Sequence, residues 1–86
     1  MEQESFVFSD NDKPFIKGTQ LVTIFHNEQN LYSVVRIRVK ETNLNYDEKE
    51  AVITGYFPPI HEEEIYTFYG KMKEHPRFGI QFHVDN

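Results

Sequence analysis

The 86-residue chain contains no cysteine, no tryptophan and no long apolar run. Without cysteine, neither disulfide bonds nor thiolate metal sites can form. A membrane-spanning helix needs roughly 20 consecutive apolar residues, and no such stretch occurs in this sequence. The opening residues, Met1 to Ser5, also lack the basic and apolar regions of a signal peptide. We therefore expect a cytoplasmic protein with no membrane partner.

Residues that favour helices are scarce as well, because the chain has a single alanine and only two methionines. Eight phenylalanines and five tyrosines accompany many valines, isoleucines and threonines. Aromatic and β-branched side chains suit a pleated, half-buried surface better than a helix. The composition therefore predicts an all-β fold.

The acidic residues are unevenly distributed. Four of the fourteen lie in the first twelve positions, so the chain from Lys13 onward carries ten acidic and nine basic residues. The net charge of −5 is thus concentrated in the N-terminal stretch, and the rest of the chain is close to neutral. We interpret residues 1–13 as an acidic flexible arm and residues 14–86 as one domain. A nearly neutral domain leaves a nucleic-acid partner open, because the distribution of charge matters more than its sum.

Apolar runs separated by turn residues predict five strands, at residues 15–26, 31–40, 50–57, 65–73 and 78–84. The second strand is the clearest, since residues 31–40 follow period two. One face would carry Leu31, Ser33, Val35, Ile37 and Val39, and the other Tyr32, Val34, Arg36, Arg38 and Lys40. Gly18 is expected to bend the long first strand. Five antiparallel strands in so short a chain favour a small closed barrel, either of the OB type or SH3-like, and strand length favours OB. The expected core consists of Val35, Ile37, Val39, Val52 or Ile53, Phe68 and Phe82.

Catalytic motifs are missing from the sequence. The four glycines form no phosphate-binding loop, no nucleophile elbow is present, and no histidines have metal-ligand spacing. His61 is followed by three glutamates, which we interpret as a solvated acidic loop rather than a metal site. We expect no catalytic residue, no metal and no cofactor in this chain.

One face of the second strand has the character of a single-stranded DNA site. Such sites combine cations that follow the phosphate backbone with aromatic rings on which bases stack. In OB barrels this face acts together with the loop between strands one and two, here Asn27–Asn30, and the loop between strands four and five, here Glu74–Arg77. The candidate binding residues are Tyr32, Arg36, Arg38, Lys40, Lys71, Lys73, His75 and Arg77. The alternative is that Arg36 and Arg38 only pair with Glu48 and Glu50 on the neighbouring strand.

Several segments resemble the N-terminal OB-like domain of RecD/TraA-type ATP-dependent DNA helicases, relatives of the exodeoxyribonuclease V alpha subunit. The resemblance covers about residues 15–86. Leu31 stands where the first hairpin of that family usually has glycine, Glu62-Glu63 replaces a usual glycine, and Met72 replaces a large aromatic residue. The segments that carry the resemblance are Phe25-His26-Asn27-Glu28-x-Asn30, Tyr32-Ser33-Val34-x-Arg36, Gly55-Tyr56-Phe57-Pro58, Tyr66-Thr67-Phe68-x-Gly70 and Glu74-His75-Pro76-Arg77-Phe78-Gly79-x-Gln81-Phe82.

The resemblance implies that these residues are one domain of a longer DNA repair or recombination enzyme. Two motor domains would follow, using ATP and Mg²⁺ to unwind DNA in the 5′→3′ direction, while this accessory domain guides single-stranded DNA. The alternative function is a docking module that packs on the motor domains of the same chain or recruits a repair or replication protein. Neither function requires activity in these residues.

Overall fold

The computed structural model describes residues 13–77 and 79–85, so the arm expected at residues 1–13 lies outside the described residues except for Lys13. All five predicted strands are present, with bounds that differ from the prediction by at most two residues. Within the described part of the chain there is no helix of the length and apolarity needed to cross a membrane. The strands are β1 (Phe15–His26), β2 (Tyr32–Thr42), β3 (Glu50–Tyr56), β4 (Ile65–His75) and β5 (Gly79–Val84).

The five strands close into a barrel in the order β1-β2-β3-β5-β4, with β4 pairing back to β1. Four of the pairs are antiparallel, but β3 and β5 run parallel. The prediction of a wholly antiparallel barrel is wrong at this pair. If every neighbouring pair of strands in a closed barrel were antiparallel, the number of strands would have to be even. A closed barrel of five strands therefore needs at least one parallel pair.

The barrel interior is filled by apolar side chains from every strand. The predicted core residues Val35, Ile37, Phe68 and Phe82 are buried, and Val39 packs against them while partly exposed. Of the two candidates on β3, Ile53 is the inward residue and Val52 points outward. Sequence reasoning missed three further buried apolar side chains, namely Ile16, Ala51 and Val84.

The long strand β1 is bent by irregularities in its pairing with β2. The register shifts between Lys17 and Gly18, between Gln20 and Val22, and between Thr23 and Phe25. Gly18 lies at the first shift, as predicted, and packs directly on β2. A Cβ atom there would collide with the carbonyl oxygen of Arg38. The shifts increase twist and curvature, which lets β1 pair with β2 on one side and β4 on the other.

Side-chain hydrogen bonds fasten the turn between β1 and β2. The Asn27 side-chain oxygen accepts from the backbone N–H groups of Gln29 and Asn30, at 2.8 and 3.3 Å. Leu31 completes the turn with a φ of 66°, a left-handed conformation that glycine adopts more easily. The chain thus keeps the backbone shape that a glycine would favour at the position where the helicase family usually has one.

A buried hydroxyl group ties this turn to the barrel. Ser33 Oγ lies 2.7 Å from His26 Nδ1 and 3.1 Å from the carbonyl oxygens of Leu31 and Phe57. The hydroxyl has one hydrogen to donate among these three neighbours, and the direction of its hydrogen bond with His26 is set by the tautomer of the ring. The connection holds the β1–β2 turn beside the end of β3.

Candidate nucleic-acid interface

The outer face of β2 presents the residues that sequence reasoning selected. Ser33, Val35 and Ile37 point into the barrel, so the intervening residues point outward. Tyr32 and Val34 are half-buried on the outside, whereas the basic residues further along the strand are exposed. The exposed residues are Arg36, Arg38 and Lys40.

A groove of about 510 Å³ lies over the first half of this face. Its walls are the C-terminal end of β1 and the hairpin formed by β4 and β5, and its floor is formed by β2 and β3. The lining is mostly apolar or aromatic, with one arginine, one histidine and no carboxylate. The lining residues are Ile24, Phe25, Tyr32, Val34, Arg36, Val52, His75 and Gln81.

An irregularity in β1 supplies one wall of the groove. Phe25 pairs with Val34 and therefore points outward, while Thr23 pairs with the inward-facing Val35. The residue between them, Ile24, has no partner in the ladder and also lines the groove. A regular strand would point only one of these two neighbours outward, so the bulge doubles the apolar contribution of β1.

Three aromatic rings form a row along the β1–β2 turn side of the groove. The ring centroids of Phe25 and Tyr32 are 6.4 Å apart, and those of Tyr32 and Tyr56 are 5.2 Å apart in an edge-on arrangement. Phe25 and Tyr56 are 49% and 57% exposed. Exposed rings on a rigid strand can accept a flat ligand by stacking.

The arginines of β2 differ in their surroundings. Arg36 forms an ion pair with Glu50, with 3.6 Å between Nη1 and Oε1. The alternative interpretation, in which the arginines of β2 pair with glutamates across the sheet, is therefore correct for Arg36. Arg38 is the direct ladder partner of Glu50. Glu48 forms no ion pair with either arginine among the residues that the structure describes. Lys40 lies about 13 Å from Arg36 along the strand, well beyond the groove.

The predicted residues on β4 and its loop separate into two groups. His75 reaches the groove, and its Nδ1 accepts a hydrogen bond of 3.1 Å from the backbone N–H of Arg77. Lys71 and Lys73 point outward from the middle of β4, because the intervening Met72 packs on the core. Neither lysine lines the groove, to which the β4–β5 hairpin contributes His75 and Gln81. The structure therefore brings Tyr32, Arg36 and His75 together and leaves the lysines at the periphery.

Sequence reasoning missed several residues of the groove and of the aromatic row beside it. Phe25 and Ile24 break the alternation of β1, and only the bulge, which the sequence did not locate, reveals that both point outward. Tyr56 follows the regular alternation of β3 as the cross-strand partner of Tyr32, so the predicted register could have found it. Gln81 could not have been found from the sequence alone, because its position depends on how β5 pairs with β3.

Acidic groups lie beside the groove rather than in it. Asp47, Glu48 and Glu50 surround a second depression of about 540 Å³, at the start of β3, which also includes Arg36 and Ile80. In this loop, burial raises the pKa of Tyr46 above its usual value, and the negative charges of Glu48, Asp47 and Glu50 raise it further. The segment 61–64 is fully exposed. Across residues 13–77 and 79–85, no three histidine or carboxylate side chains are grouped to hold a metal ion.

The closed five-stranded barrel with this strand order is an OB-type barrel. Its groove over β2 lies between the loops that follow β1 and β4. The family model of the OB-fold domain of ATP-dependent DNA helicase YrrC matches residues 13–86, and the chain belongs to this family. The predicted resemblance to a helicase OB domain is thereby confirmed. No solved structure matches the chain.

Proposed function

We propose that this domain binds single-stranded DNA across the groove on β2, as an accessory domain of an ATP-dependent 5′→3′ helicase that acts in DNA repair or recombination. The observation that carries the proposal is that the neighbouring rings of Phe25 and Tyr32 line one groove together with Arg36 and His75, with no carboxylate among the lining residues. OB barrels use this face and these loops for oligonucleotides. In the longer enzyme, ATP and Mg²⁺ would act on the motor domains.

Bases would stack on the aromatic row, which has the geometry for a sequence-tolerant platform. Every base has a flat face, and one stacking contact is worth about 1–3 kcal/mol. The row consists of Phe25, Tyr32 and Tyr56. Rings held by cross-strand neighbours lose little conformational freedom when a base arrives, so most of the stacking energy contributes to affinity.

Phosphates would follow the cations that flank the row. Arg36 and His75 border the groove, and Arg38 continues the line along β2. The remaining cations do not line the groove and would act through the general field of the surface, namely Lys40, Lys71, Lys73 and Arg77. With about three to five phosphates contacted, the logarithm of the affinity should fall with the logarithm of salt concentration with a slope of roughly −2 to −3.5. We expect a dissociation constant in the micromolar range or weaker at physiological salt.

A titration with fluorescent oligothymidylate at two salt concentrations tests the proposal. Replacing Arg36 and Arg38 together by alanine should remove most of the binding, because both side chains lie on one face of one strand. The matched control replaces Lys13 and Lys17, which removes the same charge near the start of β1. Binding that survives the arginine replacement, or no binding even at low salt, would refute the DNA-guide function.

A docking function is the second candidate, and the depression at the start of β3 favours it. There the carboxylates of Asp47, Glu48 and Glu50 surround Ile80, whose side chain is 57% exposed. A basic and partly apolar surface would complement this region, and the motor domains of the same chain or a repair or replication protein could provide it. Reversing the charge of Asp47 and Glu48 to lysine should weaken such docking and leave DNA binding unchanged or stronger.

A further inference from the structure

Glu50 occupies a position between the two arginines of the proposed DNA site. It is the ladder partner of Arg38, and its carboxylate reaches diagonally to Arg36, with 3.6 Å between Oε1 and Nη1. Such diagonal neighbours on one face of a sheet are within reach of long side chains. One carboxylate thus lies against the cations that would neutralise DNA phosphates.

The backbone of Glu50 is held firmly at the start of β3. The Tyr46 hydroxyl donates a hydrogen bond to the Glu50 carbonyl oxygen. The preceding carbonyl, of Lys49, accepts from the Val39 backbone N–H at 2.8 Å. These two bonds fix the end of the β2–β3 loop, so the backbone of Glu50 is held opposite Arg38 and within side-chain reach of Arg36.

We propose that Glu50 is an internal counter-ion for Arg36, which a phosphodiester group of the DNA must displace in order to bind. The inference rests on the proposed DNA-binding function and deepens it, because it identifies a residue that weakens binding. A phosphate that replaces the carboxylate takes over the same guanidinium N–H donors. The carboxylate then returns to water and still repels the bound strand.

The size of the effect follows from the exposure of the pair. The side chains of Arg36 and Glu50 are 46% and 45% exposed, so water and salt screen their attraction strongly. Exposed pairs of this kind contribute up to about 1 kcal/mol, which corresponds to roughly fivefold in affinity. Glu50 therefore adjusts affinity moderately and does not block the site.

The test compares Glu50→Gln with Glu48→Gln, using the whole chain and an oligothymidylate of about 12 nucleotides, a length within the site sizes of OB domains. Both changes remove one negative charge from the same loop, but only Glu50 is paired with Arg36. We expect Glu50→Gln to bind roughly two- to fivefold more tightly than Glu48→Gln at low salt. The salt slope should become steeper by up to about 0.7, the value for one phosphate, because in the wild type the released carboxylate offsets the charge of Arg36.

A double-mutant cycle with Arg36→Ala separates the pairing from a general charge effect. In the Arg36→Ala background, Glu50→Gln should raise the affinity for the oligonucleotide no more than Glu48→Gln does. Equal gains from the two glutamine variants in the wild-type background would overturn the role of Glu50 and leave the DNA-binding function standing. A lack of binding in the wild type and in both variants at low salt would overturn the DNA-binding function itself, and this inference with it.

Discussion

The ring of Tyr32 rests edge-on against the ring of Tyr56, with 5.2 Å between their centroids, because the two residues are direct partners in the β2–β3 ladder. Phe25 approaches Tyr32 from the opposite side, across the β1–β2 pair. Tyr32 is consequently held between two rings. Its orientation is set by strand pairing, before any ligand arrives.

Tyr32 should therefore be the most important stacking residue. We expect Tyr32→Ala to weaken the binding of oligothymidylate by about 1–3 kcal/mol, because it removes one stacking contact and loosens the two neighbouring rings. Fluorescence anisotropy would measure the change. The control is Tyr69→Ala, which removes an exposed tyrosine on β4 that does not line the groove. Equal losses in the two variants would indicate a general effect on the barrel.

Replacing Leu31 by glycine should stabilise the domain. The left-handed backbone costs a residue with a Cβ atom about 1–2 kcal/mol, and glycine avoids this cost while losing more entropy on folding. Since the Leu31 side chain is 40% exposed, little burial is lost. We expect a gain of about 0.5–1 kcal/mol in the free energy of unfolding, measured by urea denaturation. Leu31→Ala keeps the strained Cβ atom and should give no gain.

Two glycines should tolerate no side chain. A Cβ atom at Gly18 would collide with the carbonyl oxygen of Arg38, and one at Gly70 with that of His83. Because strand backbones would have to separate, each alanine substitution should cost about 3 kcal/mol, most of the stability expected of a domain this small. Thermal denaturation would reveal the loss as a lower melting temperature.

Gly79 provides the control for these substitutions. It adopts a φ of 84°, but no described atom lies within 4 Å of the position that a Cβ atom would occupy. Gly79→Ala should cost only the left-handed strain of about 1–2 kcal/mol. A loss at Gly79 as large as that at Gly18 would contradict the collision argument.

Tyr46 should make the domain less stable in alkaline solution. Its pKa is raised above the ordinary value of 10.0, first by burial and then by the nearby carboxylates, so the folded state holds the phenolic proton more tightly than the unfolded chain does. The resulting stabilisation is complete below about pH 10 and is lost as the pH rises towards the folded-state value. Urea denaturation at increasing pH should show this loss in the wild type. The Tyr46→Phe variant has no phenolic proton. Its free energy of unfolding should therefore lack the part of the alkaline decrease that comes from Tyr46.

Strand positions were predictable because period-two alternation and turn residues are local properties of the sequence. The outward placement of Tyr32, Arg36 and Arg38 followed from the alternation of β2 alone. The walls of the groove were not predictable in this way. Phe25 and Ile24 both face outward only because of the bulge in β1, and Gln81 reaches the groove only because β5 lies beside β3.

The β3–β5 ladder has consequences for the mechanics of the barrel. Among the described residues it contains the two pairs Ile53–Phe82 and Thr54–His83, whereas the β2–β3 ladder extends from Tyr32 to Arg38. Separating β3 from β5 would break this short parallel ladder and leave every antiparallel ladder intact. Local opening of the barrel should therefore begin between these two strands. Val52 on β3 and Gln81 on β5 both line the groove. Local separation of β3 from β5 would therefore widen the groove in which we expect DNA to lie.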